Sequence, residues 1–529
     1  MAFLLHDLLE HAARTSPRAE ALNYQRRTLT YAALAEEVRK CADAYLALGI
    51  GRGERVALYL EKRFETVIGI FGAAAAGAVF VPINPLLKPE QVAYILNDCS
   101  VRVLVTSSAR LQLLAPILCR CSDLRAVLVA DGPEKMPGIA GIPAVSWQDA
   151  LEMKSEVSPH RTIDTDMVAI LYTSGSTGKP KGVVLSHRNM VAGARSVAQY
   201  LENRPTDRIL AALPLSFDAG FSQLTTAFHA GARVTLLNYL LPRDVLDAVV
   251  DERITGLTAV PPLWIQLAQL DWPASVTDHL RYIANTGGRM PRPTLDRLRA
   301  ALPKTAPFLM YGLTESFRST FLPPAEIDRR PDSIGKAIPN AEVLVVREDG
   351  SPCAAGEPGE LVHRGALVSM GYWNDPHKTA ERFKPVPNHP KELVMPEIAV
   401  WSGDTVMRDE EGFLYFIGRR DEMIKTSGYR VSPTEVEEVV YATGMVSEVA
   451  AVGVPHPVLG EAIVLVTASR DGRDIDGGAL LAECRARLPA YMVPATVKSW
   501  KGSLPRNPNG KIDRKLLATE FGNPLERDE

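Results

Sequence analysis

Short apolar strands alternate with helical segments along much of the chain, and this alternation restricts the fold more than any other feature. Between residues 4 and 157, β-branched strand patterns occur at 28–30, 56–59, 80–82, 103–105 and 126–129. The alternation resumes with strands at 209–213, 233–237 and 256–260. It predicts an α/β fold in which two αβαβα-type sheet subdomains form one large unit.

The pattern changes near residue 340 and again near residue 420. Residues 341–346 and 359–363 read as antiparallel strands flanking a turn at 348–350, which predicts a small β-barrel or meander. After Gly418-Arg-Arg-Asp421, helices at 433–441 and 480–488 and strands at 449–454 and 462–468 indicate a fresh α+β unit. We therefore predict a large N-terminal domain, residues 1–420, and a small, mobile C-terminal domain, residues 421–529.

The charge balance points to small-molecule partners. A formal net charge of −3 provides no general attraction for nucleic acid or for an anionic membrane. Residues 67–83 carry no charge, but they contain three glycines and Pro82. A buried helix followed by a buried strand explains that run better than a membrane span. The sequence leaves the oligomeric state open.

The cysteines favour a reducing compartment. All six, Cys41, Cys99, Cys119, Cys121, Cys353 and Cys484, lack the paired spacings of a zinc site, and free thiols are expected. Asp7 and Glu10 interrupt the first apolar segment, which a secretory signal would not tolerate. A cytoplasmic location is predicted.

One stretch, residues 171–182, combines hydroxyls, glycines and lysines in a way that packing does not require. It follows the apolar strand 167–171 and precedes a helix predicted to start at Ser186. Such a loop suits phosphate oxygens. It fails the Walker pattern twice, because Thr173 stands where the first glycine belongs relative to Gly178, and Pro180 follows Lys179.

Further motifs follow in order: Tyr311-Gly-Leu-Thr-Glu315, Trp401-Ser-Gly-Asp404, Gly418-Arg-Arg-Asp421 and a Gly-Lys pair ending at Lys511. Together with the loop, they resemble the adenylate-forming superfamily of AMP-dependent acyl-CoA synthetases, amino-acid adenylation enzymes and luciferases. The resemblance extends from the first sheet to Lys511. Within the superfamily, the chain is similar to the acyl-CoA ligases associated with exosortase A systems.

The resemblance implies ATP as the nucleotide and Mg²⁺ as the metal. It assigns phosphate and nucleotide binding to Thr173, Ser174, Gly175, Ser176, Thr177, Gly178, Lys181, Gly287, Tyr311 and Gly312. In the same way, Thr314 would bond the α-phosphate and Glu315 would help to hold Mg²⁺, a cation that prefers oxygen ligands. Asp404 and Arg419 would bind the ribose.

A two-step reaction is the second implication of the resemblance. Lys511 would bridge the reacting carboxylate and phosphate oxygens, and the small domain would rotate about Asp421 after the adenylate forms. Lys425 and Gly428 would then approach for attack by a pantetheine thiol. The thiol belongs to CoA or to a separate carrier protein, since no phosphopantetheine attachment segment is recognisable here.

The family's acid-pocket positions correspond to Asp218, Ala219, Ser222, Ala259, Ala284, Thr286, Met310, Arg318 and Ser319. Asp218 by itself favours an amino acid, because amino-acid adenylation enzymes pair an aspartate there with the substrate ammonium. An inward Arg318 would neutralise Asp218 or receive a second carboxylate; an outward Arg318 would be a surface residue. Three functions stay open: acid–thiol ligase, amino-acid adenylation enzyme, and non-catalytic nucleotide-binding protein.

Overall fold

The structure is a computed structural model. It describes residues 2–132, 139, 141–173, 180–290, 292–390, 392–419, 423–431, 433–446, 448–468, 475–505 and 512–522. The predicted residues Ser174, Gly175, Ser176, Thr177, Gly178, Asp421 and Lys511 lie outside these ranges.

The strands, in chain order, are β1 (Glu20–Tyr24), β2 (Arg27–Thr30), β3 (Arg55–Tyr59), β4 (Val79–Pro82), β5 (Val101–Thr106), β6 (Ala126–Val129), β7 (Ala144–Ser146), β8 (Met167–Thr173), β9 (Lys181–Ser186), β10 (Arg208–Ala211), β11 (Arg233–Leu236), β12 (Gly256–Ala259), β13 (Tyr282–Asn285), β14 (Ala306–Tyr311), β15 (Thr320–Leu322), β16 (Ser333–Ala337), β17 (Ala341–Val346), β18 (Pro358–Gly365), β19 (Phe383–Pro385), β20 (Ile398–Arg408), β21 (Leu414–Arg419), β22 (Ile424–Thr426), β23 (Tyr429–Val431), β24 (Glu448–His456), β25 (Gly460–Ala468) and β26 (Thr496–Ser499).

The α-helices are α1 (Leu5–Thr15), α2 (Tyr31–Ala47), α3 (Phe64–Ala76), α4 (Pro89–Asp98), α5 (Ser108–Leu118), α6 (Trp147–Glu152), α7 (His187–Tyr200), α8 (Asp218–Ala230), α9 (Pro242–Asp251), α10 (Pro261–Leu267), α11 (Arg292–Ala301), α12 (Pro376–Arg382), α13 (Pro433–Tyr441), α14 (Gly477–Arg487) and α15 (Arg514–Glu520).

The first sheet has the order β7-β6-β5-β3-β4-β8-β9 among the described strands. Its pairings are parallel except for the β8–β9 hairpin. The uncharged run 67–83 forms most of α3 and all of β4, and it is buried almost throughout, as predicted. No helix of the described residues is long and apolar enough to cross a membrane.

The second sheet joins 14 described strands, and it corrects one sequence-based expectation. The strand predicted at 28–30, now β2, was expected in the first sheet, but it pairs with β1, and β1 pairs in parallel with β11 of the second sheet. The order of strands along the chain could not predict which sheet β1 joins, because β1 pairs with a strand more than 200 residues away. Leu22 lies opposite Val234.

The predicted small barrel is an open layer in the described residues. Strands β15, β16, β21, β20, β18 and β17 continue the second sheet with antiparallel pairings, and no described pairing closes them into a barrel. This layer ends the large α/β unit. Its role for the site is to bring residues 402–404, within β20, next to the end of β14.

One apolar core joins the two sheets. Phe71 of α3 packs edge-on against Phe228 of α8, with ring centroids 5.3 Å apart. Phe80 of β4 contacts Phe221 of α8 with ring centroids 5.1 Å apart. Helix α8 therefore lies between the sheets, and burying these aromatic rings fixes its position.

The small domain has its own sheet, β23-β22-β25-β24, with β26 paired to β25. Its helices α13 and α14 follow the sequence prediction closely. The chain leaves the second sheet at Arg419, the last residue of β21, and enters the sheet of the small domain at Ile424, the first residue of β22. The boundary at 420–421 itself lies outside the described residues and stays a prediction.

Lys62 connects loops at the carboxyl ends of strands from both sheets. Its Nζ donates to the carbonyl of Ala212, after β10, at 2.8 Å. Its backbone N–H donates to the side chain of Asn238, after β11, at 3.1 Å. Only 8% of Lys62 is exposed. Burial lowers the pKa of the Lys62 ammonium from 10.5 to about 7.

This buried lysine predicts a pH-dependent contribution to stability. Between pH 7 and about pH 10, the unfolded chain keeps a proton on Lys62 that the folded chain releases, so stability rises with pH. The free energy of unfolding of the wild type relative to Lys62→Met should increase by up to ~1.4 kcal/mol per pH unit. The midpoints of thermal unfolding of the wild type and of Lys62→Met, measured at pH 7 and at pH 9, show this change in relative stability. The exposed Lys154→Met is the control, and parallel midpoints for all three proteins would contradict the prediction.

Candidate active site

The two strands that flank the predicted phosphate loop form a β-hairpin. β8 and β9 are antiparallel, and Thr173 lies opposite Lys181 where the loop begins and ends. The following helix α7 starts at the predicted position, with the Ser186 hydroxyl accepting from the N–H of Asn189. Of the predicted loop residues, the structure therefore describes Thr173 and Lys181, at the two ends of the hairpin strands.

Residues 369–373 of the large domain connect this hairpin to the Tyr311–Glu315 motif. The N–H of Met370 donates to the carbonyl of Val184 in β9 at 2.8 Å, and the N–H of Val184 donates to the carbonyl of Gly371 at 3.0 Å. The N–H of Ser369 donates to the carbonyl of Glu315 at 2.8 Å. One stretch of backbone thus fixes the distance between the loop flank and the glutamate.

Tyr372, within that segment, contacts both charged groups. Its hydroxyl donates to Glu315 Oε1 at 2.6 Å. Its ring centroid lies 5.4 Å from Lys181 Nζ, within cation–π range. Burial, followed by repulsion from Lys378, lowers the pKa of Lys181, while Asp375 and Glu315 act in the opposite direction. The ring and hydroxyl of one tyrosine thus orient a cation and a carboxylate toward the same space.

The Tyr311–Glu315 motif turns sharply at the end of β14. A Cβ on Gly312 would lie 3.0 Å from Arg318 Cα, so a side chain would crowd the turn. Thr314 opens a short 3-10 turn, and Phe317 follows with φ of 58°. Tyr311, Gly312, Thr314 and Glu315 are all half-buried, so they are not sealed in the core. The space that these residues border together with Lys181 and Asp404 is called the cleft.

The two predicted ribose residues are neighbours across strands. Asp404 of β20 lies directly opposite Arg419 of β21 in the register. Tyr311 donates its hydroxyl to Asp404 Oδ2 at 2.5 Å, and the Asp404 N–H donates to the Ser402 hydroxyl at 3.0 Å. The side chain of Arg419 lies outside what the structure describes. The motif at the end of β14 and the carboxylate of β20 are thereby directly connected.

The small domain contacts the large domain at Gly428. A Cβ on Gly428 would lie 2.9 Å from Val260 Cβ, and a Cβ on Gly287 would lie 3.5 Å from the Gly428 carbonyl. Gly428 has φ of 81°, which a side chain would make costly. Lys425 Nζ stands 4.3 Å from the ring centroid of Phe416 in the large domain. The loop predicted for the thiol step therefore contacts the large domain next to Gly287.

An aromatic contact extends this docking toward the acid pocket. Tyr429 stacks on Tyr491 with ring centroids 3.7 Å apart, and its edge meets Phe217 with centroids 5.1 Å apart. Phe217 directly precedes Asp218, the first residue of α8. The small domain thus contacts the segment that carries the predicted acid-binding aspartate.

Within the predicted acid pocket, Arg318 points inward. Its Nη1 donates to Asp218 Oδ2 at 2.8 Å and to the Phe317 carbonyl at 2.9 Å, and its side chain is 2% exposed. A small cavity is lined by four of the predicted residues: Ala219, Ser222, Met310 and Arg318. Of the predicted small side chains, Ala259 and Ala284 are fully buried, and Thr286 is almost so.

Two residues of this region were not anticipated from the sequence. Tyr372 lies in Gly371-Tyr-Trp-Asn374, where the aromatic pair after a glycine was the available signal. His363, fully buried in β18, has Nδ1 3.1 Å from the Ser319 hydroxyl, which is 3.0 Å from the Ser316 hydroxyl. Burial lowers the pKa of His363 to about 4, so the neutral ring supports the turn.

The donor set suits a magnesium ion held jointly with nucleotide phosphates. No group of three or more His, Cys, Asp or Glu side chains that could hold a metal lies among the described residues. Mg²⁺ retains waters and phosphate oxygens and needs only one or two carboxylates from a protein, which Glu315 could supply.

Comparison with known sequences shows the family of the chain. The profile of the AMP-binding enzyme family matches residues 9–373, and that of the AMP-binding enzyme C-terminal domain matches residues 435–511. The chain belongs to the AMP-binding enzyme family. The prediction of an adenylate-forming ligase is thus confirmed at the level of the family. The two matched ranges lie on opposite sides of the predicted domain boundary.

Relatives of this AMP-binding enzyme act on different acids. It is 32% identical to the L-proline–L-prolyl-carrier protein ligase of Pseudomonas fluorescens, covering 98% of this chain and 99% of that protein. It is 31% identical to the long-chain-fatty-acid–CoA ligase FadD13 of Mycobacterium tuberculosis, covering 97% and 98%. It is also 31% identical to part of a linear gramicidin synthase of Brevibacillus parabrevis, of whose length it spans only 10%.

Among solved structures, the AMP-binding enzyme resembles the amide bond synthetase McbA from Marinactinospora thermotolerans. The TM-score is 0.83 at 26% identity, with 98% of this chain and 99% of that chain covered. The similarity confirms the α/β fold with its large and small domains.

The Tyr372–Glu315 hydrogen bond predicts a specific defect. Tyr372→Phe keeps the ring beside Lys181 but frees the Glu315 carboxylate, so KM for MgATP should rise about tenfold, as expected for losing a hydrogen bond to a charged group. Steady-state pyrophosphate release over a range of MgATP measures it. Tyr415→Phe, which removes a tyrosine–aspartate bond of 3.1 Å to Asp409, is the matched control. An equal KM in both variants would contradict this role of Tyr372.

Proposed function

We propose that this AMP-binding enzyme is an acid–thiol ligase. In the first step, a carboxylate oxygen of the acid attacks the α-phosphorus of ATP, the bond to the β-phosphate oxygen breaks, and acyl-AMP and pyrophosphate form. In the second, a pantetheine thiolate attacks the acyl carbon, the carbon–oxygen bond to AMP breaks, and a thioester and AMP form.

The contact of Gly428 with Val260 and Gly287 carries this proposal. The two-residue turn between β22 and β23 by itself accounts for the positive φ of Gly428, but it does not require the turn to lie against Val260, which follows β12 of the large domain. A ligase needs close backbone approach there, because an extended pantetheine arm must pass between two domains. The close packing of Gly428 against Val260 therefore supports a second half-reaction at the domain interface.

The first half-reaction is supported by the large domain. Thr173 and Lys181 lie at the two ends of the predicted phosphate loop, and Asp404 lies opposite Arg419. By the family resemblance, Glu315 and Thr314 would bind the phosphates and Mg²⁺, and Asp404 with Arg419 would bind the ribose. Lysine and hydroxyl groups would offset repulsion between the acid and the phosphates. Asp421 as hinge and Lys511 as the adenylation lysine are part of the proposal.

The thiol donor is CoA or a carrier protein. FadD13 is named as a CoA ligase, and the proline ligase is named for its carrier protein. An amino-acid substrate is the second candidate, supported by Asp218 at its pocket position. The ion pair of Asp218 with Arg318 weighs against it. A cytoplasmic location and the exosortase-associated subtype remain predictions.

Gly428→Ala should separate the two half-reactions. The new Cβ would lie 2.9 Å from Val260, so docking of the loop should fail and thioester formation from supplied acyl-AMP should fall at least about tenfold. Acid-dependent pyrophosphate exchange should persist. Gly444→Ala is matched in domain and in positive φ, 70°, but meets no atom within 4 Å. Equal thioester rates in both variants would remove the main support for the thiol step.

Lys511→Ala should have the opposite effect. Loss of its ammonium should reduce pyrophosphate exchange by about a thousandfold, because anion repulsion at the α-phosphorus is no longer offset. Thioester formation from supplied acyl-AMP should continue at the wild-type rate. Lys501→Ala, at an exposed lysine of the same domain, provides the control. Equal loss of both steps in Lys511→Ala would contradict the division of labour.

A further inference from the structure

Helix α12 is attached to the segment that carries Tyr372, at the edge of the cleft. The Tyr372 N–H donates to the Thr379 hydroxyl at 3.0 Å, and that hydroxyl donates to the Asp375 carbonyl at 2.8 Å. The Tyr372 ring meets the ring of Phe383, directly after the helix, with ring centroids 5.6 Å apart. The helix is therefore held next to the tyrosine whose ring contacts Lys181.

Arg382, the last residue of α12, places its guanidinium against the strand that carries the predicted ribose ligand Asp404. Its Nη1 donates to the Trp401 carbonyl at 3.3 Å. A Cβ on Gly403 would collide with the same nitrogen, and Gly403 has φ of 69°. Gly403 directly precedes Asp404 in β20. The absence of a side chain at Gly403 thus lets the guanidinium lie beside the backbone next to Asp404.

Lys378 and Arg382 lie four positions apart and therefore on one face of α12. Both are close enough to Lys181, at the end of the predicted phosphate loop, to repel its ammonium group. Burial lowers the pKa of Lys181 most, repulsion from Lys378 is the second cause, and Arg382 acts in the same direction. Like charges that converge repel one another, and an anion that binds between them relieves this repulsion. The three cations therefore suit a ligand with several negative charges.

The carboxylates near these cations leave room for such a ligand. Glu381 pairs with Lys378 at 2.6 Å, but its side chain is 58% exposed, so the pair is screened by water and contributes little. Asp375 accepts from the backbone N–H of Lys378 at 2.9 Å as the cap of α12. Glu315 accepts from the Tyr372 hydroxyl at 2.6 Å. A polyphosphate carries more charge than Glu381 and would be the stronger partner for the Lys378 ammonium.

We infer that Lys378 and Arg382 bind, together with Lys181, the phosphates of ATP that leave as pyrophosphate. When the bond between the α-phosphorus and the bridging oxygen breaks, its electron pair stays on the pyrophosphate oxygen. Ammonium and guanidinium groups offset this additional negative charge, and the planar guanidinium matches the geometry of phosphate oxygens. The inference rests on the proposed ligase function and names residues that bind its leaving group.

Binding of magnesium pyrophosphate and of AMP, each measured by isothermal titration calorimetry, tests the inference without any acid. Lys378→Gln and Arg382→Gln should each raise the Kd for pyrophosphate at least about tenfold, as expected for losing a hydrogen bond between charged groups, and change the Kd for AMP less than about twofold. Arg382→Lys keeps the charge and should recover part of the lost affinity. Lys384→Gln is the matched control, because it removes an exposed cation of the same segment, 5.2 Å from the Trp401 ring centroid.

An unchanged Kd for pyrophosphate in either glutamine variant would overturn the assignment of that residue. An equal loss of AMP affinity in Arg382→Gln would overturn its assignment too, because a purely structural disturbance beside Asp404 would weaken both ligands. Undetectable pyrophosphate binding to the wild type would overturn the whole inference. Failure of the proposed ligase function gives a different result: the wild type binds both ligands but releases no pyrophosphate from ATP with any acid.

Discussion

The cleft depends on the backbone bonds by which residues 369–373 connect β9 of the first sheet with the Glu315 turn of the second. Sheets that belong to separate layers can shift against each other unless polar contacts fix their edges. Here the Val184–Gly371, Met370–Val184 and Ser369–Glu315 bonds do so. Tyr372 then uses that fixed geometry to contact Glu315 and Lys181. The distance between β9 and the Glu315 turn is therefore set by backbone hydrogen bonds, which are stiffer than a contact between two long side chains.

Helix α8 links the apolar core to the Asp218–Arg318 pair. Phe221 and Phe228 anchor it between the sheets, and Ala219 and Ser222 on the same helix line the small cavity beside Arg318. Its first turn begins at a tight corner, where a Cβ on Gly220 would lie 1.8 Å from the Pro214 carbonyl. Asp218 is consequently held by a well-packed helix, and its pairing with Arg318 costs little additional ordering.

The small domain is connected to the same helix. Phe217 precedes Asp218 and meets Tyr429, which follows Gly428. Docking of the small domain and the start of α8 thus share one aromatic contact, and Tyr429 is itself stacked on Tyr491.

Local patterns determined most of what the sequence could reveal. Strand and helix periodicity predicted α3–β4, β8 and the helices of the small domain, and Ser186 marked the start of α7, because these features depend on neighbouring residues. The family motifs predicted roles for Glu315, Tyr311 and Asp404 one by one. Three features required the tertiary structure: β1 joins β11 of the other sheet, Tyr372 joins Lys181 to Glu315, and Arg318 turns inward to Asp218. Each of these contacts links residues 50 or more positions apart. Such contacts depend on how the whole chain packs, and patterns of neighbouring residues carry no information about that packing.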